Sequence, residues 1–274
     1  MCGQSQLQAA CDACPELSIV LPCYNEAKGL EALVRRFAEA GAGYDFELIL
    51  VDNGSKDRTP EVLAGLLTRF RFARSIRVEV NQGYGHGIFT GLRQARGQIV
   101  SWSHADLQTD PGDVFRALEV LKGSGLPAQT LVKGHRYGRR ASERFISWGM
   151  QVVATVLLRS RLKEINAQPK LFGRELLSAL THAPIDFNFD VYVLHEARRQ
   201  GWQVRSIPVA FPPRQYGQSN WAATWRSKLR TILRSVKYML RLGVLGAECD
   251  NSMRAADERA FCQASTAEEA SRAA

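Results

Sequence analysis

Leu48-Ile49-Leu50-Val51-Asp52-Asn53-Gly54-Ser55-Lys56-Asp57-Arg58-Thr59 runs from an apolar segment into an acidic turn, and a second such turn, His104-Ala105-Asp106-Leu107-Gln108, follows further along the chain. A short apolar run closed by Asp, Asn and Gly reads as a buried strand and its exit turn. Ligands of open α/β sheets bind beyond the carboxyl ends of the strands. Two carboxylates delivered there can share one cleft, and with the amide of Gln108 they suit a divalent cation and a diphosphate. Each turn alone reads equally well as an Asx turn that starts the next element.

The flanking sequence builds the sheet outward. Leu17 to Leu21, stopped by Pro22, and Phe46 to Val51 read as strands. Between them Glu26 to Ala40 repeats Leu30, Leu33, Val34 and Phe37 at helical spacing before Gly41. Thr59 is expected to cap the next helix, with Pro60 in its first turn. Strands are expected at Ile76 to Val80 and Gln98 to Trp102, with a helix from Gly87 to Arg96 between them. A helix from Asp110-Pro111 to Lys122 and a strand from Thr130 to Lys133 follow. Beyond lie a helix from Ser142 to Leu158, a strand at Lys170 to Phe172, a helix from Asp190 to Arg199 and a strand from Gln203 to Val209. The alternation predicts an α/β fold, a doubly wound, mainly parallel sheet flanked by helices. The expected organisation is a flexible leader over 1–15, a catalytic unit over 16–221, a basic amphipathic helix over 222–246 and a mobile tail over 247–274.

With 274 residues, 45% hydrophobic and 23% charged, the chain has a globular composition. Its net charge of +9 favours a polyanionic partner. No apolar run reaches the roughly 18 to 20 residues that span a bilayer. Met1 to Ala13 lacks the basic and apolar regions of a signal peptide, so a cytoplasmic, reducing setting is expected. Six cysteines are no disulfide framework at this length; Cys11 and Cys14 have a CxxC spacing without the second pair a zinc site needs, and Cys23 reads as a buried thiol. In the basic helix Trp225, Leu229, Ile232, Leu233, Val236 and Leu240 form one stripe, and Arg226, Arg230, Arg234, Lys237 and Arg241 another. It either lies on an anionic membrane surface or packs its apolar face on the core. Its aromatics are not interleaved with the cations, which argues against nucleic acid.

Asn81-Gln82-Gly83-Tyr84-Gly85-His86-Gly87 fails the dinucleotide fingerprint, since Ile88 or Thr90 falls where the third glycine belongs. Its glycines read instead as a tight turn with close backbone approach. Leu21-Pro22-Cys23-Tyr24-Asn25-Glu26, VDNGSKDRT, NQGYGHGIFTGLRQARGQIV and HADLQTDP, in this order, resemble glycosyltransferase family 2, most closely its dolichol-phosphate mannosyltransferase-like branch. Lys133-Gly134-His135-Arg136 and the segment from Arg214 to Asn220 are similar to that branch as well.

The resemblance implies a GT-A fold and inverting transfer from a nucleoside-diphosphate sugar. It implies that Pro22, Tyr24, Glu26 and Asp52 hold the nucleoside, and that Ala105 and Asp106 lie against the sugar diphosphate. Asp106, Gln108 and His104 would ligate Mn²⁺ or Mg²⁺, Arg136, Arg214 and Asn220 would meet the donor, and Arg144 and Ser147 an acceptor phosphate. The chain departs from the pattern at Asn53 and His104, each in place of an Asp, at Glu143 beside Arg144, and at Asn220 in place of Lys. A neutral imidazole suits Mn²⁺ better than Mg²⁺. A polyprenyl phosphate acceptor is already anionic, whereas a saccharide hydroxyl needs a base, for which Asp190 is the candidate. Asp190 reads equally as a carboxylate at a helix N-terminus. His104 and Asn53 also leave open a non-catalytic nucleotide-sugar binder.

Overall fold

The computed structural model describes residues 14–139, 141–212 and 225–245. Cys11, Arg214, Asn220 and the expected tail lie outside them, as does most of the expected leader. The strands are β1 (Leu17–Cys23), β2 (Phe46–Asn53), β3 (Ala73–Val78), β4 (Ile99–Trp102), β5 (Thr130–Tyr137), β6 (Lys170–Gly173) and β7 (Gln203–Ala210). The helices are α1 (Leu30–Ala40), α2 (Thr59–Leu67), α3 (Tyr84–Gln94), α4 (Gly112–Lys122), α5 (Ala141–Leu158), α6 (Phe189–Arg199) and α7 (Trp225–Leu245).

The strands form one seven-stranded sheet in the order β3-β2-β1-β4-β6-β5-β7. Only β6 runs antiparallel to its neighbours β4 and β5. Alternation along β1 explains why both faces are covered. Leu17, Ile19 and Leu21 enter a core with Leu33 and Phe37 of α1 and Leu118 of α4, while Val20 enters a second core with Leu92 of α3 and Phe189 of α6. The chain order reverses between β1 and β4, which opens a crevice at their carboxyl ends.

Two local expectations are corrected. Thr59 does not cap α2: Arg58 occupies that position, and the Thr59 hydroxyl accepts the Glu26 N–H at 3.0 Å instead. The hydroxyl is therefore used between loops, not within its own helix. The third strand begins at Ala73 and ends at Val78, because it is an edge strand whose span is set by pairing from Leu48↔Ala73 to Asn53↔Val78.

Candidate active site

The loop after β1 and the turn after β2 are sewn together. Asn25 N–H donates to Ser55 Oγ at 3.0 Å, Lys56 N–H donates to Asn25 Oδ1 at 2.8 Å, and Asn25 adopts a φ of 56°. Asp52 is buried at the bottom. One carboxylate oxygen accepts the Ser55 N–H at 2.9 Å and the other accepts Arg77 at 2.6 Å. A carboxylate has about four lone-pair positions, so Asp52 retains acceptor capacity for a ligand hydroxyl or base N–H. Pro22, Tyr24 and Glu26 are half-buried around it.

Asn53 plays another part. Its Nδ2 donates to Gly83 O at 2.9 Å and to Asn81 Oδ1 at 3.4 Å, which braces the glycine-rich turn ahead of α3. That turn bears out the close-approach reading. Gly83 has a φ of 120°, and a Cβ on Gly85 would fall 2.3 Å from Pro184 O.

At the end of β4, Asp106 Oδ1 accepts the Gln108 N–H at 3.1 Å, and Leu107 between them has a φ of 60°. A Leu in the left-handed region costs about 1 kcal/mol, a strain that fixed functional turns retain. Ala105 and Asp106 are buried, and His104 is half-buried. Gln108 Nε2 donates to Pro212 O at 3.0 Å; the amide oxygen is the atom chemically able to ligate a cation. Burial lowers the His104 pKa against the pull of Asp106 and Asp190, with Lys170 and Arg136 adding to the lowering, so its imidazole is neutral near pH 7. Among the described residues no three His, Cys, Asp or Glu side chains form a closed metal cage. One carboxylate, one neutral imidazole and one amide oxygen instead fit a cation that arrives with a diphosphate, the usual arrangement for Mg²⁺ with one or two carboxylates.

A buried charge cluster adjoins this turn. Lys170, at the start of β6, is fully buried 5.3 Å from the Trp102 ring centroid, and its ammonium pairs with Asp190 and donates to Ala167 O. Burial lowers the Lys170 pKa while Asp190 opposes the shift. Gln168 Nε2 donates to the same Asp190 oxygen at 3.0 Å and to the Tyr84 hydroxyl at 3.0 Å. Lys133 of β5, 2% exposed, donates to Gly134 O and Glu164 O; burial, then the neighbouring Lys170, lowers its pKa to about 7. Arg136 Nε meets Glu164 Oε2 at 2.8 Å, and Arg139 lies 3.6 Å from Glu164 Oε1 while donating to Ser147 Oγ at 3.0 Å.

The structure thus gathers His104, Asp106, Arg136 and Asp190 around one set of charges, and links Ser147 to it through Arg139. Arg144 is exposed on the first turn of α5. Lys170, Gln168 and Glu164 were not singled out from sequence as site residues, and Lys133 entered only within the Lys133-Gly134-His135-Arg136 segment. The available signal was a lysine inside an apolar strand, as in Leu131-Val132-Lys133 and Lys170-Leu171-Phe172.

The family model for glycosyl transferase family 2 matches residues 18–188, which contain both acidic turns and most of this cluster. The chain belongs to glycosyl transferase family 2. It is 29% identical over 214 residues to an undecaprenyl-phosphate 4-deoxy-4-formamido-L-arabinose transferase of Pseudomonas paraeruginosa, covering 76% of this chain and 60% of that protein. It is 26% identical over 245 residues to a dolichol-phosphate mannosyltransferase of Pyrococcus furiosus, covering 87% of this chain and 67% of that one. The fold matches glucosyl-3-phosphoglycerate synthase from Mycobacterium tuberculosis, solved with Mn²⁺, UDP-glucose and phosphoglyceric acid. The TM-score is 0.63 at 22% identity over 85% of this chain and 80% of that one. This family member has the GT-A fold expected from its sequence motifs.

Proposed function

We propose that this family 2 member is an inverting, metal-dependent glycosyltransferase that moves a sugar from a nucleoside diphosphate to a polyprenyl phosphate at an anionic membrane surface. The observation that carries the reading is the cationic cluster. Lys133, Lys170 and Arg136 converge on Asp190 and Glu164, with Arg139 3.6 Å from Glu164, and such a concentration of buried basic groups suits a site that an anion joins. The names of the undecaprenyl-phosphate and dolichol-phosphate relatives support a lipid phosphate acceptor. The Mn²⁺ and UDP-glucose of the M. tuberculosis synthase support the donor and metal.

Asp52, held by Arg77 and Ser55, would accept hydrogen bonds from the nucleoside. Asp106, with His104 and Gln108, would hold the cation, which when bound neutralises charge developing on the leaving diphosphate. Asp190 already accepts Lys170 and Gln168 on one oxygen, so it orders the cluster. A phosphate acceptor needs no base, because it arrives ionised. Arg144, Ser147 and, outside the described residues, Arg214 and Asn220 complete the proposed phosphate and donor contacts.

The membrane reading rests on two packed helices. Phe145, Trp148, Val152 and Val156 form an exposed stripe on α5; Leu229, Leu233, Leu240 and Val244 form another on α7, beside the cations Arg230, Arg234 and Lys237. No described helix is long and apolar enough to cross a membrane. Such faces suit the interface plane, apolar side down. With a labelled sugar nucleotide, Mn²⁺ and a short polyprenyl phosphate, label is expected in the lipid fraction. Asp106→Ala is expected to lower turnover at least about 100-fold, as loss of a transition-state charge contact does. Asp52→Ala is expected to weaken nucleotide binding even without metal. Label found only in water-soluble glycoside would overturn the acceptor, and full turnover in Asp106→Ala would overturn the site.

A further inference from the structure

Glu164 occupies a place where the reading of Arg136 as a phosphate ligand calls for an anion. Its Oε2 accepts Arg136 Nε at 2.8 Å, its Oε1 lies 3.6 Å from Arg139, and its backbone oxygen accepts Lys133 Nζ at 3.1 Å. The three charged side chains of the carboxylate and its two arginines are 9 to 11% exposed. Burial raises the Glu164 pKa, but Arg136, Arg139 and Lys133 outweigh it and hold the carboxyl below its ordinary range.

We propose that Glu164 is an exchangeable counter-anion: its carboxylate neutralises Arg136 and Arg139 when no phosphate is bound, and yields that place to a phosphate group of the substrate.

This rests on the phosphate reading of the arginine pair and adds a competitor to it. Buried guanidinium groups left without an anion destabilise a fold severely, so a site emptied at every turnover needs a resident carboxylate. Carboxylate and phosphate oxygens present similar acceptors to a guanidinium. Glu164 meets Arg136 at hydrogen-bond distance and Arg139 only at ion-pair distance. A tetrahedral phosphate carries enough oxygens for both. The two partners also come from different kinds of element. Arg136 and Lys133 lie on β5, paired along its length with β7, whereas Glu164 sits in the irregular connection between α5 and β6 at a φ of 46°. That conformation is strained for a side chain with a Cβ. Exchange needs only the Glu164 side chain to turn away, since its backbone oxygen stays with the Lys133 ammonium and the Ala167 N–H and no strand pairing is broken. Return of Glu164 would then favour departure of the product anion.

The test uses the full chain, inorganic pyrophosphate without metal, and calorimetric titration. Glu164→Gln is expected to bind pyrophosphate at least about tenfold more tightly than wild type. It should melt lower than wild type without the anion, with the gap closing at saturation. Equal or weaker binding would overturn the exchange and leave Glu164 as a fixed brace of the arginines. Should Glu164→Gln not fold, Glu164→Asp keeps the charge and withdraws it by one methylene; it is expected to bind more tightly than wild type, and equal or weaker binding overturns the proposal. The double variant Arg136→Ala/Glu164→Gln is expected to lose binding. If it binds as tightly as Glu164→Gln, the arginine is not a phosphate ligand and the underlying reading of the cluster fails as well, an outcome distinct from failure of the exchange alone.

Discussion

Asn53 stands where the family resemblance expects an aspartate, and its amide explains the difference. The groups to which its Nδ2 donates, Gly83 O and Asn81 Oδ1, are both acceptors. A carboxylate would face them without a proton to give. Asn53→Asp is therefore expected to cost roughly 1–3 kcal/mol, as an unsatisfied buried polar group does, read as a lower urea midpoint with an unchanged slope. An unaltered midpoint would show that the turn is held by other contacts. Lys133 gives a pH-dependent signature. Its folded pKa of about 7 lies below its ordinary value of 10.5, so between those values the unfolded chain holds more protons and stability rises with pH. Lys133→Met lacks this titration. Relative to wild type it should be most stable at pH 7 and below, and the difference should shrink toward pH 10.5 by at most about 1.4 kcal/mol per unit. Parallel pH profiles of the two proteins would refute the assignment.

At the scale of elements, local pattern and pairing divide the work. The apolar runs of β1 and β2 are legible because both faces of those strands are covered, which demands continuous hydrophobicity. By contrast, β5 continues past Lys133 to Tyr137 because β7 supplies partners as far as Ala210. The amphipathic period of α7 is legible too, but sequence left its apolar side either packed or lipid-facing. In the structure Met239 and Leu242 are buried, which packs part of the helix, while Leu229, Leu233, Leu240 and Val244 are exposed. The protein is expected to sediment with anionic vesicles in low salt and to be released as salt screens the attraction. Phe145→Ser/Trp148→Ser should weaken that binding at least about fivefold without lowering the melting temperature, since Phe145 and Trp148 are 70% and 59% exposed. Undiminished sedimentation would leave the α5 face without a membrane role.

Across the whole molecule, Lys170 and Asp190 bind the start of β6 to the start of α6 beneath the cleft. Breaking a buried ion pair from one side commonly costs about 3–5 kcal/mol, while replacing both partners costs far less. Lys170→Met and Asp190→Leu should each destabilise by that order, and the double variant by clearly less than their sum; additive losses would mean that the pair is not coupled in the folded state. The same pair marks what sequence could determine. Strand and helix periods, the two acidic turns and the ordered motifs around Asp52 and Asp106 are local, so they carried the fold class and the family from sequence alone. Asp190 was legible as a candidate base, yet Lys170 and Gln168, which donate to it, arrive from β6 and the residues just before it. Glu164 was silent for the same reason: Lys133 and Arg136 reach it from β5, a strand that precedes it by the whole of α5. Charge in a strand says nothing of its partner, because burial and pairing are decided by which segments the sheet order places side by side. Only the tertiary structure decided which cations surround the cleft and which carboxylates already answer them.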